Sequence, residues 1–190
     1  MAIGENSRVS RRALLGAFAG IAATAAAPSY AGVFSFNKGA GDIRRIAMYS
    51  GRTGESINTI YWIEGEYIKE ALDEINYFMR DWRHNEVIRY DPRNIDIMAA
   101  SHRLMEANEP YLLLSGYRNP ATNAMLRRRN RGVAKNSYHI KGMAADLRLK
   151  SRGIRQMAAA AKACHSGGVG TYYRSNFVHM DCGPVRTWRR

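Results

Sequence analysis

The chain has 190 residues, with 29 Lys and Arg against 16 Asp and Glu, a formal net charge of +13, and two cysteines. That length suits one domain with a core of its own and excludes a fold that depends on a dense set of disulfides. The charge calls for an anionic partner, which nucleic acid, acidic lipid headgroups or an anionic cell-wall polymer would satisfy equally, and it says nothing about fold.

The N-terminus narrows that choice. Ser10-Arg11-Arg12-Ala13-Leu14-Leu15 opens a basic, then modestly apolar stretch that ends in Ser29-Tyr30-Ala31. This is the layout of a cleaved export signal. The paired arginines followed by two leucines resemble the twin-arginine type, which carries folded proteins across a bacterial inner membrane. About 15 weakly apolar residues fall short of the roughly 20 that span a bilayer, so no transmembrane anchor is expected once residues 1–31 are removed. Removal takes three arginines and one glutamate with it, so the basicity belongs to the domain that remains. An exported basic protein meets the cell wall before a genome. The expected location is the periplasm, and nucleic acid is not an expected partner.

Residues 32–41 read as a flexible lead-in, and 42–190 as a single domain. Residues 43–49 and 56–63 alternate as two strands around the turn Ser50-Gly51-Arg52-Thr53-Gly54. A helix is predicted over 66–82, where Ile68, Leu72, Ile75, Met79 and Trp82 recur at steps of three and four. Asp91-Pro92 interrupts the chain before a second helix over 94–107. A short strand over 111–114, a third helix over 120–130 and a loop over 131–141 follow. The remaining elements are a strand over 143–149, a helix capped by Ser151 and stopped at Gly167-Gly168, and strands over 169–173 and 177–181. Turns rather than crossover helices join the late strands, which predicts an α+β fold with a small, mostly antiparallel sheet and helices packed on it.

Strand alternation places Asp146 with Ala144 and Arg148, opposite the apolar Ala145 and Leu147. It also places His179 on one face with Phe177 and Asp181. His139 arrives from the loop ahead of Gly142. Two imidazoles and one carboxylate on one sheet face suit a single Zn²⁺ with a fourth position open to water, the arrangement a hydrolase needs. Cys164 and Cys182 form the candidate disulfide, since an even pair outside the cytoplasm is more often bridged than metal-binding. Two unpaired thiols are the other reading.

Ser115-Gly116-Tyr117-Arg118, the S-x-H-x-x-G-x-A-x-D pattern from Ser137 to Asp146, and His179-Met180-Asp181 together resemble the D-alanyl-D-alanine carboxypeptidase (M15) metallopeptidases, most closely their murein endopeptidase K-like branch. The resemblance covers about residues 40–190. It implies the hedgehog/D-Ala-D-Ala peptidase-type fold and zinc bound by His139, Asp146 and His179. It also implies an oxyanion-steadying role for Arg118 and substrate contacts from Ser137 and Tyr117. The implied substrate and partner is peptidoglycan, whose peptide cross-links the enzyme would hydrolyse.

The general base departs from the pattern. Relatives place an acid three residues before the last histidine, or use His-x-His, whereas this chain has Asn176 and Phe177 at those positions. Asp181 is then the candidate base, with orientation of a ligand imidazole as its other reading. The missing acid keeps open a non-catalytic peptidoglycan-binding module with a residual metal site. Charge alone would allow an exported polyanion- or lipid-surface binder.

Overall fold

The computed structural model describes residues 43–190; the export signal expected over 1–31 and the lead-in expected over 32–41 lie outside the described residues. One eight-stranded sheet runs in the order β3-β2-β1-β4-β5-β7-β6-β8. Its strands are β1 (Ile43–Ser50), β2 (Ser56–Ile63), β3 (Glu66–Tyr67), β4 (Tyr111–Ser115), β5 (Ala144–Arg148), β6 (Gly168–Tyr172), β7 (Phe177–Asp181) and β8 (Arg186–Arg189). Neighbours are antiparallel except for β1 with β4 and β6 with β8. The helices are α1 (Lys69–Phe78), α2 (Pro92–Leu104), α3 (Pro120–Arg129) and α4 (Ile154–Ala163). This is the α+β, mostly antiparallel architecture that the turn-linked late strands called for.

The apolar face of the sheet meets α2 and α4, which pack on each other. Met98, Met157 and Ala161 from the helices share a core with Ile46, Met48, Ala145, Leu147, Val178 and Met180 from the strands. One charged pair is buried at its edge. Arg44 on β1 donates to Asp96 on α2 at 2.8 Å, and the Tyr61 and Tyr67 hydroxyls donate to the same carboxylate at 3.0 and 2.6 Å. Asp91 caps α2, accepting from the Arg93 N–H at 3.0 Å with Pro92 in the first turn, so the helix begins at the break itself.

Three elements differ from their sequence expectation. Residues 66–67 are not helical: Glu64 and Gly65 turn at positive φ, and β3 pairs back on β2 before α1 begins. The periodic stripe also outruns the helix, because Asp81 pairs with Glu86 beyond it and leaves Trp82 39% exposed. Ser151 does not cap α4. Its N–H is taken by Glu109 at 2.6 Å, while the Gln156 side chain accepts from the Gly153 N–H at 2.9 Å, and Gly153 is the cap. β8 was not expected at all: an edge strand reading Arg-Thr-Trp-Arg has no apolar alternation, and only its parallel pairing with β6 defines it.

The expected Cys164–Cys182 disulfide is not formed. Both thiols are free. Cys164 caps the C-terminus of α4, buried against Ser101 and the Ala160 carbonyl, whereas Cys182 faces the Met143 carbonyl. Burial and the Asp91 charge push the Cys182 thiol up to about 12, which keeps it protonated and unreactive. No helix among the described residues is long and apolar enough to cross a membrane.

Candidate metal centre

β5 and β7 pair so that Asp146 lies opposite His179 and Ala144 opposite Asp181. Alternation buries Ala145, Leu147, Val178 and Met180 in the core and sends Asp146, His179 and Asp181 to the other face. The Ser-x-His-x-x-Gly spacing has a local cause. Ser137 caps a single 3₁₀ turn, Tyr138–Lys141, by accepting from the His139 N–H at 3.3 Å. Gly142 ends the turn at φ 64, where a Cβ would also press on the Arg89 carbonyl at 3.2 Å.

The Ser115–Arg118 segment is the strut behind that turn. A Cβ on Gly116 would lie 2.5 Å from the Met79 carbonyl oxygen, so only glycine lets β4 run this close to the end of α1. The Gly116 carbonyl in turn accepts from His139 Nδ1 at 2.7 Å. A carbonyl can only accept, so the proton sits on Nδ1 and the lone pair of Nε2 faces the site. His179 is fixed from the opposite side, its Nε2 donating to Asp181 Oδ2 at 2.9 Å and its Nδ1 facing inward.

His139 Nε2 and His179 Nδ1 are then 3.2 Å apart, and they lie 3.2 and 2.9 Å from Asp146 Oδ1. One ligand atom from each residue lies within 4.8 Å of the others, and all three residues are buried. Two imidazole lone pairs and a carboxylate oxygen facing one another repel unless a cation or a proton lies among them. Neutral nitrogens and an ionised oxygen are also the donor set that a divalent zinc takes. The residues therefore fit such an ion.

Electrostatics divides the two histidines. Burial, reinforced by the Arg118 charge, pushes His139 down to about 4, so it is neutral at physiological pH. Burial pulls His179 the same way, but hydrogen bonds to Asp146 and Asp181 outweigh it and hold its pKa above the ordinary value. Asp146 would be raised by burial; the positive charge of its neighbours, Arg118 among them, and its hydrogen bond with His179 outweigh this and hold the carboxyl well below the ordinary value.

Asp181 stands behind His179 rather than in front of it. Its carboxylate is fully buried and takes five hydrogen bonds: from His179, from the backbone N–H groups of Gly168 and Gly183, and from both terminal nitrogens of Arg186 at 3.0 and 2.7 Å. Burial works against its charge, yet these donors hold the carboxyl well below the usual range. It does not line the cavity in front of the site.

That cavity has a volume of about 670 Å³ and reaches His139, Asp146, His179, Arg118 and Ser137. Arg118 is braced by Ser115 Oγ at 2.8 Å and donates through Nη2 to Asp146 Oδ2. Ser137 both caps its turn and opens on the cavity. Tyr117 does not reach it, which corrects the expected substrate contact: its side chain is buried, and its hydroxyl donates to Glu86 at 2.7 Å. Sequence reasoning missed Trp188 and Arg186, which β8 brings in. The Trp188 ring lies 5.3 Å from that of His179, and Arg186 packs over the Tyr138 and Trp188 rings at 4.9 and 5.0 Å. Their aromatic and basic character near His179 was visible in the sequence, but the parallel pairing that turns them inward was not.

Comparison with known proteins gives a consistent result. The family model described as "Peptidoglycan L,D-endopeptidase MepK" matches residues 38–188. The Escherichia coli K12 protein of that name is 44% identical over 136 residues, which is 72% of this chain and 75% of that protein. A Haemophilus influenzae protein, "Probable peptidoglycan L,D-endopeptidase MepK", is 41% identical over 138 residues, 72% of this chain and 74% of that one. Among solved structures, the Serratia marcescens L-Ala D-Glu endopeptidase ChiX aligns over 50% of this chain and 68% of its own, at 17% identity and a TM-score of 0.35. That likeness is too distant to argue from.

Proposed function

This chain belongs to the peptidoglycan L,D-endopeptidase MepK family, and we propose that it is a zinc-dependent peptidase that hydrolyses peptide cross-links of peptidoglycan in the periplasm after twin-arginine export. The bond cut is an amide joining an L-centre to a D-centre, as the names of its relatives indicate. The observation that carries this reading is the convergence of His139, Asp146 and His179 at the base of an open cavity with Arg118 beside them.

His139 Nε2, His179 Nδ1 and Asp146 Oδ1 would hold the zinc. When bound, zinc supplies Lewis acidity, polarising the scissile carbonyl and acidifying the attacking water toward a pKa near 7. The protein supplies the rest. Arg118 presents a braced guanidinium to the cavity, where it steadies the negative charge that grows on the carbonyl oxygen. Asp181 keeps His179 in one tautomer and one orientation, acting through the ligand instead of on the substrate. Ser137 sets the His139 turn and offers its hydroxyl to the substrate backbone.

Mass spectrometry of cross-linked sacculi digested by the zinc-loaded mature chain, with and without a chelator, tests this. Chelator-sensitive release of uncross-linked muropeptides is expected, and intact cross-links would overturn the proposal. A second reading draws support from Asp181: with its carboxylate engaged, Asp146 is the only acid lining the cavity among the described residues. A binding module of that kind would retain sacculi without turnover.

A further inference from the structure

The cavity extends beyond the three ligands, and part of its wall carries charge that hydrolysis does not use. Four guanidinium groups line it, those of Arg118, Arg174, Arg186 and Arg190, against one side-chain carboxylate, that of Asp146. Arg118 and Arg186 are matched by Asp146 and Asp181. Neither Arg174 nor Arg190 forms an ion pair with an Asp or Glu side chain among the described residues.

Both of these cations stand on braced backbone. Arg190 continues the β8–β6 ladder, its N–H donating to the Thr171 carbonyl and its terminal carboxylate accepting from the Tyr173 N–H, each at 2.8 Å. Its guanidinium donates to the Gly132 carbonyl at 2.6 Å, a neutral acceptor that fixes the group without cancelling its charge. Arg174 sits in the β6–β7 turn, which Arg148 ties down by donating to the carbonyls of Ser175 and Asn176 at 2.9 and 2.6 Å.

An aromatic surface links this corner to the metal centre. Trp188 lies beside His179 and donates to the Tyr172 hydroxyl at 3.1 Å, and Tyr172 stacks on Phe177 with ring centroids 4.3 Å apart. At ~3.4 Å per residue, the path along β7 from His179 to the turn spans roughly 12 Å. An extended peptide covers that in three to four residues.

We propose that Arg174 and Arg190 form a carboxylate-binding subsite that grips an acidic group of the substrate peptide about three residues from the bond that is cut. This rests on the peptidase reading above and adds the chemistry of the ligand: a peptide with a free carboxylate, lying along the aromatic surface of β6, β7 and β8. Guanidinium groups suit the task because their planar forks match a carboxylate in two-point contact.

The test uses the zinc-loaded mature chain and two soluble probes, an uncross-linked stem tetrapeptide with free carboxylates and the same peptide fully amidated, with binding measured by calorimetry. The wild-type chain is expected to bind the free form about 10-fold more tightly, a difference of ~1.4 kcal/mol. Arg174→Gln with Arg190→Gln should abolish that preference and, in sacculus digestion, raise KM about 10-fold with kcat within a factor of two. Equal binding of the two probes by the wild-type chain, or a preference that survives both substitutions, overturns the subsite. Cleavage by a wild-type chain that does not discriminate refutes the subsite alone. Discrimination without cleavage refutes the peptidase reading and leaves the subsite standing.

Discussion

Replacing Asp181 with asparagine separates the two roles that its position next to His179 allows. Five donors converge on this carboxylate: His179 Nε2 and Arg186 Nη2 on Oδ2, and the Gly168 N–H, Gly183 N–H and Arg186 Nη1 on Oδ1. An asparagine amide keeps one acceptor oxygen and turns its NH₂ toward donors whichever way it flips. Leaving such buried donors unsatisfied costs about 1–3 kcal/mol each. Arg186 is partly exposed, so it can recover water and limit the loss. The variant should therefore fold with stability lowered by about 1–3 kcal/mol. With the amide oxygen taking the Oδ1 place, where three of the donors meet, the NH₂ faces His179, which is then no longer held in the tautomer that presents Nδ1 to the metal, so zinc affinity should fall ~10–100-fold. Competition with a chromophoric chelator measures the affinity, and sacculus digestion at saturating zinc measures the chemistry. Unchanged zinc affinity with kcat reduced by orders of magnitude would refute the orienting role and make Asp181 the base. Acid titration adds a second check. The folded-state pKa of Asp181 is depressed, so its contribution to stability is present above the unfolded value of about 3.9 and is lost as pH falls toward the folded one. Stability of the wild-type chain should drop below about pH 4 more steeply than that of Asp181→Asn.

Arg118→Ala should lower kcat ~100–1,000-fold if the guanidinium, which lines the cavity, steadies the developing oxyanion as proposed. Equilibrium dialysis should find zinc still bound; an unchanged kcat would remove the assignment. Zinc uptake at pH 6 should release about one proton, from His179, whose pKa is raised, while His139 stays deprotonated down to about pH 4. Calorimetry in buffers of different ionisation enthalpy counts the protons, and a count of zero or two contradicts the assignment. Gly170→Ala would place a Cβ 2.4 Å from Trp188 Cε2. The clash should cost about 1–3 kcal/mol, or ~2–4 °C of Tm per kcal/mol for a domain of this size, with a shift in tryptophan emission; unchanged Tm and emission would mean that the indole is not seated there.

The convergence of His139, Asp146 and His179 could be read from the linear order because each of its parts is enforced locally. A serine that caps one turn and a glycine that ends it fix His139, and period-two alternation fixes the faces of Asp146 and His179 without knowledge of their neighbours. The α+β class followed for the same reason, since short turns between late strands leave no room for crossover helices. What the linear order could not decide was every question about which segment lies beside which. Tyr117 belongs to the same motif as Arg118 but turns to Glu86, because the contact depends on a loop 31 residues away. The two thiols look paired by count, yet each meets a different backbone carbonyl, Cys164 that of Ala160 and Cys182 that of Met143, and both stay free. Asp181 is either a base or a brace in one dimension; only the approach of Arg186, Gly168 and Gly183 surrounds it and withdraws it from the cavity. β8, which has no pattern of its own, becomes a strand only because β6 offers a free edge, and it carries Arg186, Trp188 and Arg190 to the wall of the site. Short-range hydrogen bonding and alternation are written into neighbouring residues, whereas contacts between distant segments exist only once the chain has closed on itself.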